Sequence, residues 1–332
     1  MLYSSDATGL SRRRLLTGLG GLGAATVLAG CTPTVEPSPS DGGSSASGAT
    51  PPSGSTPSTT PTPTPPPVPE LPGGGTTLFP DRRMVALYGT PGTGSLGVLG
   101  EQDVDEALTR VADLAKEYQQ YSEEPVIPAF EVIATVASSA GGPTGDYTTP
   151  VDPDRLAVWV EAAGKADTYV VLDLQPGTQD FPTQAASFES LLRQPHVGLA
   201  LDPEWRLQPG QRHMEQIGQV SAAEINETTA WLAELVAEHR LPEKLVILHQ
   251  FRTQMIPDRA AVKPREGLAL MVHADGNGSA EQKLETWRSL KKDLPSGTHL
   301  GWKNFIDEDA PTFTPERTMT EVTPQPWFVS YQ

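Results

Sequence analysis

The chain has 332 residues, of which 41 are acidic and 24 are basic, and its formal net charge is −17 at pH 7. A chain this acidic excludes nucleic acid as a partner and excludes electrostatic docking on anionic lipid. Cys31 is its one cysteine, so the chain can form no internal disulfide and has no thiol chemistry beyond residue 31.

The first thirty residues have the pattern of a bacterial export signal. Three arginines, Arg12, Arg13 and Arg14, stand directly before an apolar stretch that is rich in Gly and Ala and ends at Gly30. This stretch is shorter than the roughly 20 apolar residues of a membrane-spanning helix. We therefore predict a cleavable signal peptide over residues 1–30, and the paired arginines favour the twin-arginine export route.

The signal ends in Leu28-Ala29-Gly30-Cys31, which resembles a bacterial lipobox. The resemblance implies that Cys31 receives a diacylglycerol, is acylated (with palmitate, for example) and becomes the mature N-terminus. Acyl chains contribute about 0.8 kcal/mol per buried CH₂, so two of them give a stable anchor. We expect a lipoprotein on the outer face of the cytoplasmic membrane, in contact with the bilayer through its lipid alone. The alternative is an accidental cysteine after an ordinary signal.

Residues 31–78 form a segment dominated by Pro, Ser, Thr and Gly, with runs such as Pro61-Thr62-Pro63-Thr64-Pro65. This composition cannot bury enough apolar surface to offset the entropy of ordering the chain. We therefore predict a disordered, partly extended linker between the lipid anchor and a folded domain over residues 79–332.

The folded region has the size of a (β/α)₈ barrel, which typically has about 250 residues. Helix signals lie between most of its short apolar runs, among them the N-cap and proline of Asp152-Pro153 and the capping-box sequence Ser279-Ala280-Glu281-Gln282. Strands that alternate with helices indicate a parallel sheet, and eight strands close a barrel. The predicted strands are 84–88, 129–136, 169–174, 197–201, 244–249, 268–273, 300–303 and 327–331.

Two features of the predicted barrel are irregular. The seventh crossover, residues 306–326, is acidic and rich in proline, with one short helix predicted near 316–321. We expect no helix after the eighth strand. The competing fold is a doubly wound open α/β sheet.

Catalytic residues of such barrels lie at the carboxyl ends of the strands, and the unusual polar residues of this sequence fall there. The candidates are side chains that bind polar substrates or transfer protons. They are Tyr88, Asp173, Gln175, Asp202, Glu204, Trp205, His249, Gln250, His273, Asp275, Lys303 and Tyr331.

Acidic residues are concentrated at two of these strand ends. Asp202 and Glu204 are two positions apart, so strand alternation predicts that they share a face, and Asp173 on the neighbouring strand would extend the cluster. Crowded carboxylates raise one another's pKa, which keeps a general acid protonated near neutral pH. The plainer interpretation is that one acid such as Asp173 caps a helix or forms half of an ion pair. Glu131 lies early in its strand, and we expect it to pair with a buried cation such as Lys303.

Asp202-Pro203-Glu204 resembles the Asp-x-Glu motif at the end of strand four in chitinase-like and cell-wall-lysozyme-like barrel glycoside hydrolases. The resemblance implies that Glu204 is the general acid, that Asp202 orients it or a substrate acetamido group, and that Asp173 is a helper carboxylate. The longer chitinase pattern Asp-x-x-Asp-x-Asp-x-Glu is incomplete, because Val197 and Ala200 occupy two of its aspartate positions. The whole chain also resembles Tat-exported lipoproteins of high-GC Gram-positive bacteria, which implies no particular activity.

The sequence is compatible with three functions. The first is a monomeric glycoside-hydrolase-like enzyme that acts on a cell-wall or extracellular glycan without cofactor or metal, with Trp205 as a stacking platform and the other polar rim residues as substrate contacts. The second is a non-catalytic barrel that binds a glycan or a partner at the cell surface. The third is metal-dependent hydrolysis by His249, His273, Asp275 and a carboxylate of the fourth strand.

Overall fold

The structure, a computed structural model, describes residues 67–142 and 144–332. The predicted signal peptide, the lipidation site Cys31 and all but the end of the predicted linker lie outside these residues. Within them, no helix combines the length and the apolar character needed to cross a membrane. Leu71, Leu78 and Phe79 are buried, so the described fold includes residues ahead of the first strand.

Nine strands form within the described residues. All eight predicted strands are present, and the short β3 is an addition. The strands are β1 (Arg83–Gly89), β2 (Val126–Ala137), β3 (Thr148–Pro150), β4 (Tyr169–Leu174), β5 (Val197–Leu201), β6 (Lys244–Gln250), β7 (Leu268–Ala274), β8 (His299–Asn304) and β9 (Phe328–Tyr331).

Eight of these strands close a parallel barrel. Their order around it is β1-β2-β4-β5-β6-β7-β8-β9, and β1 pairs in parallel with both β2 and β9. This double pairing closes the sheet on itself and excludes the open doubly wound alternative. The predicted (β/α)₈ barrel is therefore confirmed, with β3 added antiparallel to the end of β2.

The helices lie in the connections between strands, and their first residues carry the predicted caps. Asp152 caps a helix that starts with Pro153, and Ser279 and Gln282 form a complete capping box. As predicted, the crossover after β8 has one short helix, and in the described structure no helix follows β9. The helices are α1 (Val104–Gln119), α2 (Pro153–Lys165), α3 (Phe181–Ser187), α4 (Glu189–Leu192), α5 (Ala222–His239), α6 (Ala280–Leu290) and α7 (Pro315–Glu321).

Side-chain alternation along the strands divides the core into two shells. Outward-facing residues such as Val246 and Leu248 pack against the helices, whereas inward-facing residues such as Leu245 and Ile247 fill the barrel. The inward-facing residues nearer the amino ends of the strands are apolar or aromatic, and we call them the lower layer. They are Met84, Ala86, Ala129, Tyr169, Val171, Ala200, Leu245, Ile247, Ala269, Met271 and Phe328.

Candidate active site at the carboxyl end of the barrel

One inward-facing position further along the strands, polar side chains replace apolar ones. Tyr88 follows Ala86 by two residues and His249 follows Ile247 by two, so the strand period returns each polar side chain to the interior. We call these residues the upper layer, and all of them are buried: Tyr88, Glu131, Asp173, His249, His273, Lys303 and Ser330. Four further polar residues lie just beyond, at the ends of β4, β5 and β7: Gln175, Asp202, Glu204 and Asp275.

His249 is the centre of the upper layer. Its Nε2 lies 2.9 Å from Glu131 Oε1, and its Nδ1 donates to Asp275 Oδ2 at 3.2 Å. His273 Nδ1 lies 3.8 Å from the same Glu131 oxygen, and its Nε2 lies 3.4 Å from Ser330 Oγ. Two histidines from adjacent strands therefore face one carboxylate.

Glu131 pairs with a buried cation, as expected, but that cation is His249 and not Lys303. The nearest cationic partner of Glu131 is His249, since Lys303 Nζ lies 3.4 Å from Asp275 Oδ1 and 3.2 Å from the centre of the Tyr88 ring. Lys303 is thus engaged by a carboxylate and an aromatic face on other strands. That the partner of Glu131 is a cation was predictable from charge alone, but which cation it is was not.

The charges of the upper layer follow from burial and mutual proximity. Burial opposes a charge on His249, but Glu131, Asp173 and Asp275 outweigh it and raise the pKa of His249 well above its ordinary value. Burial also disfavours the Glu131 carboxylate, yet the imidazoles of His249 and His273 lower its pKa to about 2. For His273 burial prevails and lowers its pKa to about 4. The layer therefore holds an imidazolium, a carboxylate and a neutral imidazole side by side.

Asp173 joins the upper layer to the residues above it. Its Oδ2 accepts a hydrogen bond from the Tyr88 hydroxyl at 2.8 Å, and Gln175 Nε2 donates to that hydroxyl oxygen at 3.3 Å. Burial raises the pKa of Asp173 to about 6 despite the nearby His249. The structure therefore brings the predicted residues Tyr88, Asp173 and Gln175 together inside the barrel.

A second acidic group lies at the rim. One oxygen each from Asp202, Glu204 and Asp275 lies within 4.8 Å of the others. β5 ends at Leu201, and a 3₁₀ turn over Pro203–Trp205 places Glu204, with Asp202 Oδ1 accepting from the Glu204 backbone N–H at 3.1 Å. Asp202 and Glu204 therefore come together through this turn, and not through alternation along a continuing strand as the sequence predicted.

The membership of this acidic group also differs from the prediction. Asp275 from the end of β7 completes it, whereas Asp173 is a neighbour that influences Asp202 electrostatically. Burial, together with the carboxylates of Asp173, Glu204 and Asp275, raises the pKa of Asp202 well above its usual range, against the effect of His249. The raised pKa favours the neutral form of Asp202, which reduces the charge repulsion within this acidic group.

Two predicted substrate-binding residues face away from the site. Gln250 follows inward-facing His249 and points outward, where its Oε1 accepts from Arg259 Nη1 at 2.7 Å. Tyr331 follows Ser330 and points at α1, with 2.7 Å between its hydroxyl and that of Tyr118. Both predictions are wrong because a shift of one residue along a strand reverses the face.

Trp205, predicted as a sugar-stacking platform, packs edge-on against His213 with ring centroids 5.3 Å apart.

Sequence reasoning left out two residues of the upper layer, Glu131 as a site member and Ser330 altogether. A signal was present for Glu131, a charged residue in the apolar run of β2. Ser330 had none, because a serine in a strand is unremarkable.

No protein-family model and no curated protein matches the chain. Among solved structures, an oxaloacetate acetylhydrolase in complex with 3,3-difluorooxalacetate is 13% identical over 75% of this chain and 75% of its own, with a TM-score of 0.43. A xylanase-α-amylase inhibitor protein in complex with trehalose is 14% identical over 75% and 92%, with a TM-score of 0.39. A D-allulose 3-epimerase from Methylomonas sp. is 13% identical over 77% and 86%, with a TM-score of 0.38. Likenesses this distant carry no information on activity.

Proposed function

We propose that this protein is a glycoside-hydrolase-like enzyme that acts on a cell-wall or extracellular glycan through carboxylate acid/base catalysis. The observation that carries the proposal is the convergence of Asp202, Glu204 and Asp275 at the carboxyl end of the barrel, with one oxygen of each within 4.8 Å of the others. Retaining glycoside hydrolysis uses two carboxyl groups about 5–5.5 Å apart, and inversion uses about 6.5–9.5 Å. Oxygens this close can act on one glycosidic bond.

The three carboxyl groups fit different roles. His249 Nδ1 and Lys303 Nζ lie 3.2 and 3.4 Å from the Asp275 oxygens, and this positive environment suits a carboxylate nucleophile. Glu204, on the turn beyond β5, is the general acid that protonates the leaving oxygen. Asp202 holds the Glu204 backbone through Oδ1, and its buried Oδ2 has no hydrogen-bond partner among the described residues, so the neutral acid can donate from Oδ2 to a carbonyl or hydroxyl oxygen of a substrate.

The test is hydrolysis by the full chain of a panel of peptidoglycan, chitooligosaccharides and α- and β-glucans, with reducing ends as the readout. Glu204→Gln keeps the shape of the side chain and removes its acid, so we expect release to fall by about 10²–10⁴-fold. The matched control is Glu161→Gln on the exposed face of α2, where Glu161 pairs with Lys165. It should hydrolyse the substrate as the unchanged protein does.

Equal hydrolysis by the Glu204→Gln variant would refute the role of Glu204. Binding of a glycan by both proteins without any release between pH 4 and pH 8 would instead support the second function, a non-catalytic surface module. The two outcomes are separable because binding is measured on the same panel.

We also propose that the protein is exported and lipid-anchored through Cys31, on the strength of the lipobox-like Leu28-Ala29-Gly30-Cys31. In cells fed labelled palmitate, the protein should carry label and partition into the detergent phase. Cys31→Ala should lose the label and remain in the aqueous phase. Label retained in that variant would place the acyl chain elsewhere and refute the anchor.

A further inference from the structure

Beneath the rim carboxylates, the upper layer contains a cluster of ligand atoms that take no part in the proposed hydrolysis, which uses His249 through its Nδ1 alone. Glu131 on β2, His249 on β6 and His273 on β7 each direct one oxygen or nitrogen into the same space, and these atoms lie within 4.8 Å of one another. We infer that Glu131, His249 and His273 form a binding site for a divalent transition-metal ion. This inference is independent of the proposed glycan hydrolysis.

The distances within the cluster suit a metal ion. Zinc–nitrogen and zinc–oxygen bonds are about 2.0–2.2 Å long, so neighbouring ligand atoms around one ion are about 3–4 Å apart. Glu131 Oε1 lies 2.9 Å from His249 Nε2 and 3.8 Å from His273 Nδ1. His249 and His273 are partners in the β6–β7 register, which sets their rings side by side with centroids 5.0 Å apart. The two histidines are therefore fixed by the backbone of the barrel.

The ligand atoms are unsatisfied, and this is the observation that points to an ion. Both carboxylate oxygens of Glu131, His249 Nε2 and His273 Nδ1 are buried, and none has a hydrogen-bond partner among the described residues. His249 Nε2 and Glu131 Oε1 are 2.9 Å apart and form a charge contact whose angles lie outside strict hydrogen-bond geometry. Buried polar atoms in proteins are nearly always paired. An ion bound by one Glu131 oxygen, His249 Nε2 and His273 Nδ1 would give each of these three side chains a partner.

The other nitrogen of each imidazole is held in place. His249 Nδ1 donates to Asp275 at 3.2 Å, and His273 Nε2 lies 3.4 Å from Ser330 Oγ. Metal-binding histidines usually have such a partner, which fixes the ring and leaves the other nitrogen for the metal. Because a ligand nitrogen must be unprotonated, binding of the ion would release the Nε2 proton of His249. Gly301 makes room for the second ring, because a Cβ there would lie 2.7 Å from His273 Cδ2.

The donor set limits the class of ion. Two imidazoles and one carboxylate suit Zn²⁺, Co²⁺ and Fe²⁺ better than Ca²⁺ or Mg²⁺, which prefer oxygen ligands. Asp173 Oδ1 lies 3.8 Å from His249 Nε2 and has no hydrogen-bond partner among the described residues, so it stands beside the proposed ion. This ligand set differs from the one predicted from sequence, since Glu131 supplies the carboxylate.

The experiment titrates the full chain, after removal of bound metal by a chelator, with Zn²⁺ in a calorimeter and with Co²⁺ followed by visible absorption. We expect one equivalent to bind, with a Co²⁺ spectrum of nitrogen and oxygen ligation and a raised melting temperature. Glu131→Gln and His273→Gln should each weaken binding by at least about 100-fold, and Ser330→Ala by about 10-fold. The melting curve of each variant without metal shows whether it folds.

Glu204→Gln is the matched control, because it changes a carboxylate of the rim and should leave metal affinity unchanged. Absence of stoichiometric binding, or binding that persists in folded Glu131→Gln and His273→Gln, would overturn the site. Binding lost in Asp202→Asn but kept in His273→Gln would overturn it as well and would place the ion among the rim carboxylates. None of these outcomes depends on glycan hydrolysis, so the two proposals fail separately.

Discussion

The lower and upper layers of the barrel interior are built on the same strands and are equally buried, yet their chemistry is opposite. Two residues along β2 separate apolar Ala129 from Glu131, and two along β6 separate Ile247 from His249. The lower layer removes apolar surface from water and stabilises the fold. The upper layer buries charges whose desolvation opposes folding. Buried charges that weaken the fold are typical of catalytic or binding sites. The contrast between the layers therefore indicates that the functional site is in the upper layer and above it.

One of the two largest effects on stability is expected in the lower layer. Phe328→Ala removes a fully buried ring from the barrel interior, so it should lower the free energy of unfolding by about 3–5 kcal/mol. Urea denaturation followed by circular dichroism measures this change. The control is Val158→Ala on α2, at a side chain that is 58% exposed, where we expect a change within about 0.5 kcal/mol. A similar loss in both variants would contradict the assignment of the lower layer as the stabilising core.

In the upper layer, the effect of a substitution should depend on whether a charge is left alone. His249→Leu leaves the Glu131 carboxylate buried without its nearest cation, so it should destabilise the metal-free protein by about 3–5 kcal/mol. The double variant Glu131→Met with His249→Leu removes both charges and should recover most of that loss. A double-mutant cycle in chelator measures the recovery. Strictly additive losses would mean that the two residues do not interact.

A smaller effect depends on pH and involves Lys244, a buried cation outside both layers. Its Nζ donates to the carbonyl oxygens of Gln194 and Val197 at 2.8 and 2.7 Å, and burial lowers its pKa to about 7. The unfolded chain binds this proton more tightly, so between pH 7 and about 10 the unfolding free energy should rise with pH. The slope from this residue is at most about 1.4 kcal/mol per pH unit.

Lys244→Met should remove this rise, as measured by urea unfolding at pH 7, 8, 9 and 10. Lys165→Met is the control, because its ammonium group is on the surface beside Glu161. The result that argues against a depressed Lys244 pKa is an identical pH slope in the Lys244→Met variant and the unchanged protein.

The smallest expected effect separates inward-facing from outward-facing residues of β9. Tyr331→Phe removes a hydroxyl that is hydrogen-bonded to the hydroxyl of Tyr118 on α1. It should lower the unfolding free energy by about 0.5–1.5 kcal/mol and leave metal affinity and hydrolysis unchanged. Ser330→Ala, one residue earlier, should change metal affinity and have little effect on stability. If Tyr331→Phe lowered metal affinity more than Ser330→Ala, the assignment of faces along β9 would be wrong.

The sequence predicted the barrel well, because its signals are local. Apolar runs separated by capped helices place all eight barrel strands, and the acidic crossover near α7 is as irregular as its composition indicates. Whether an individual side chain points into or out of the barrel was also predictable from the sequence. The parity that directs His249 inward directs Gln250 outward, and counting by two from the apolar positions would have excluded both Gln250 and Tyr331.

By itself, therefore, the sequence determined where the strands lie, which residues alternate and which polar types gather at the strand ends. Only the tertiary structure decided which of them meet. Glu131 on β2 faces His249 on β6 across the barrel, although two strands lie between them in the sheet. Asp275, from the end of β7, joins Asp202 and Glu204 beyond β5. The physical reason is that closure of the sheet brings strands that are not neighbours within reach of one side chain, and no local pattern encodes those pairings.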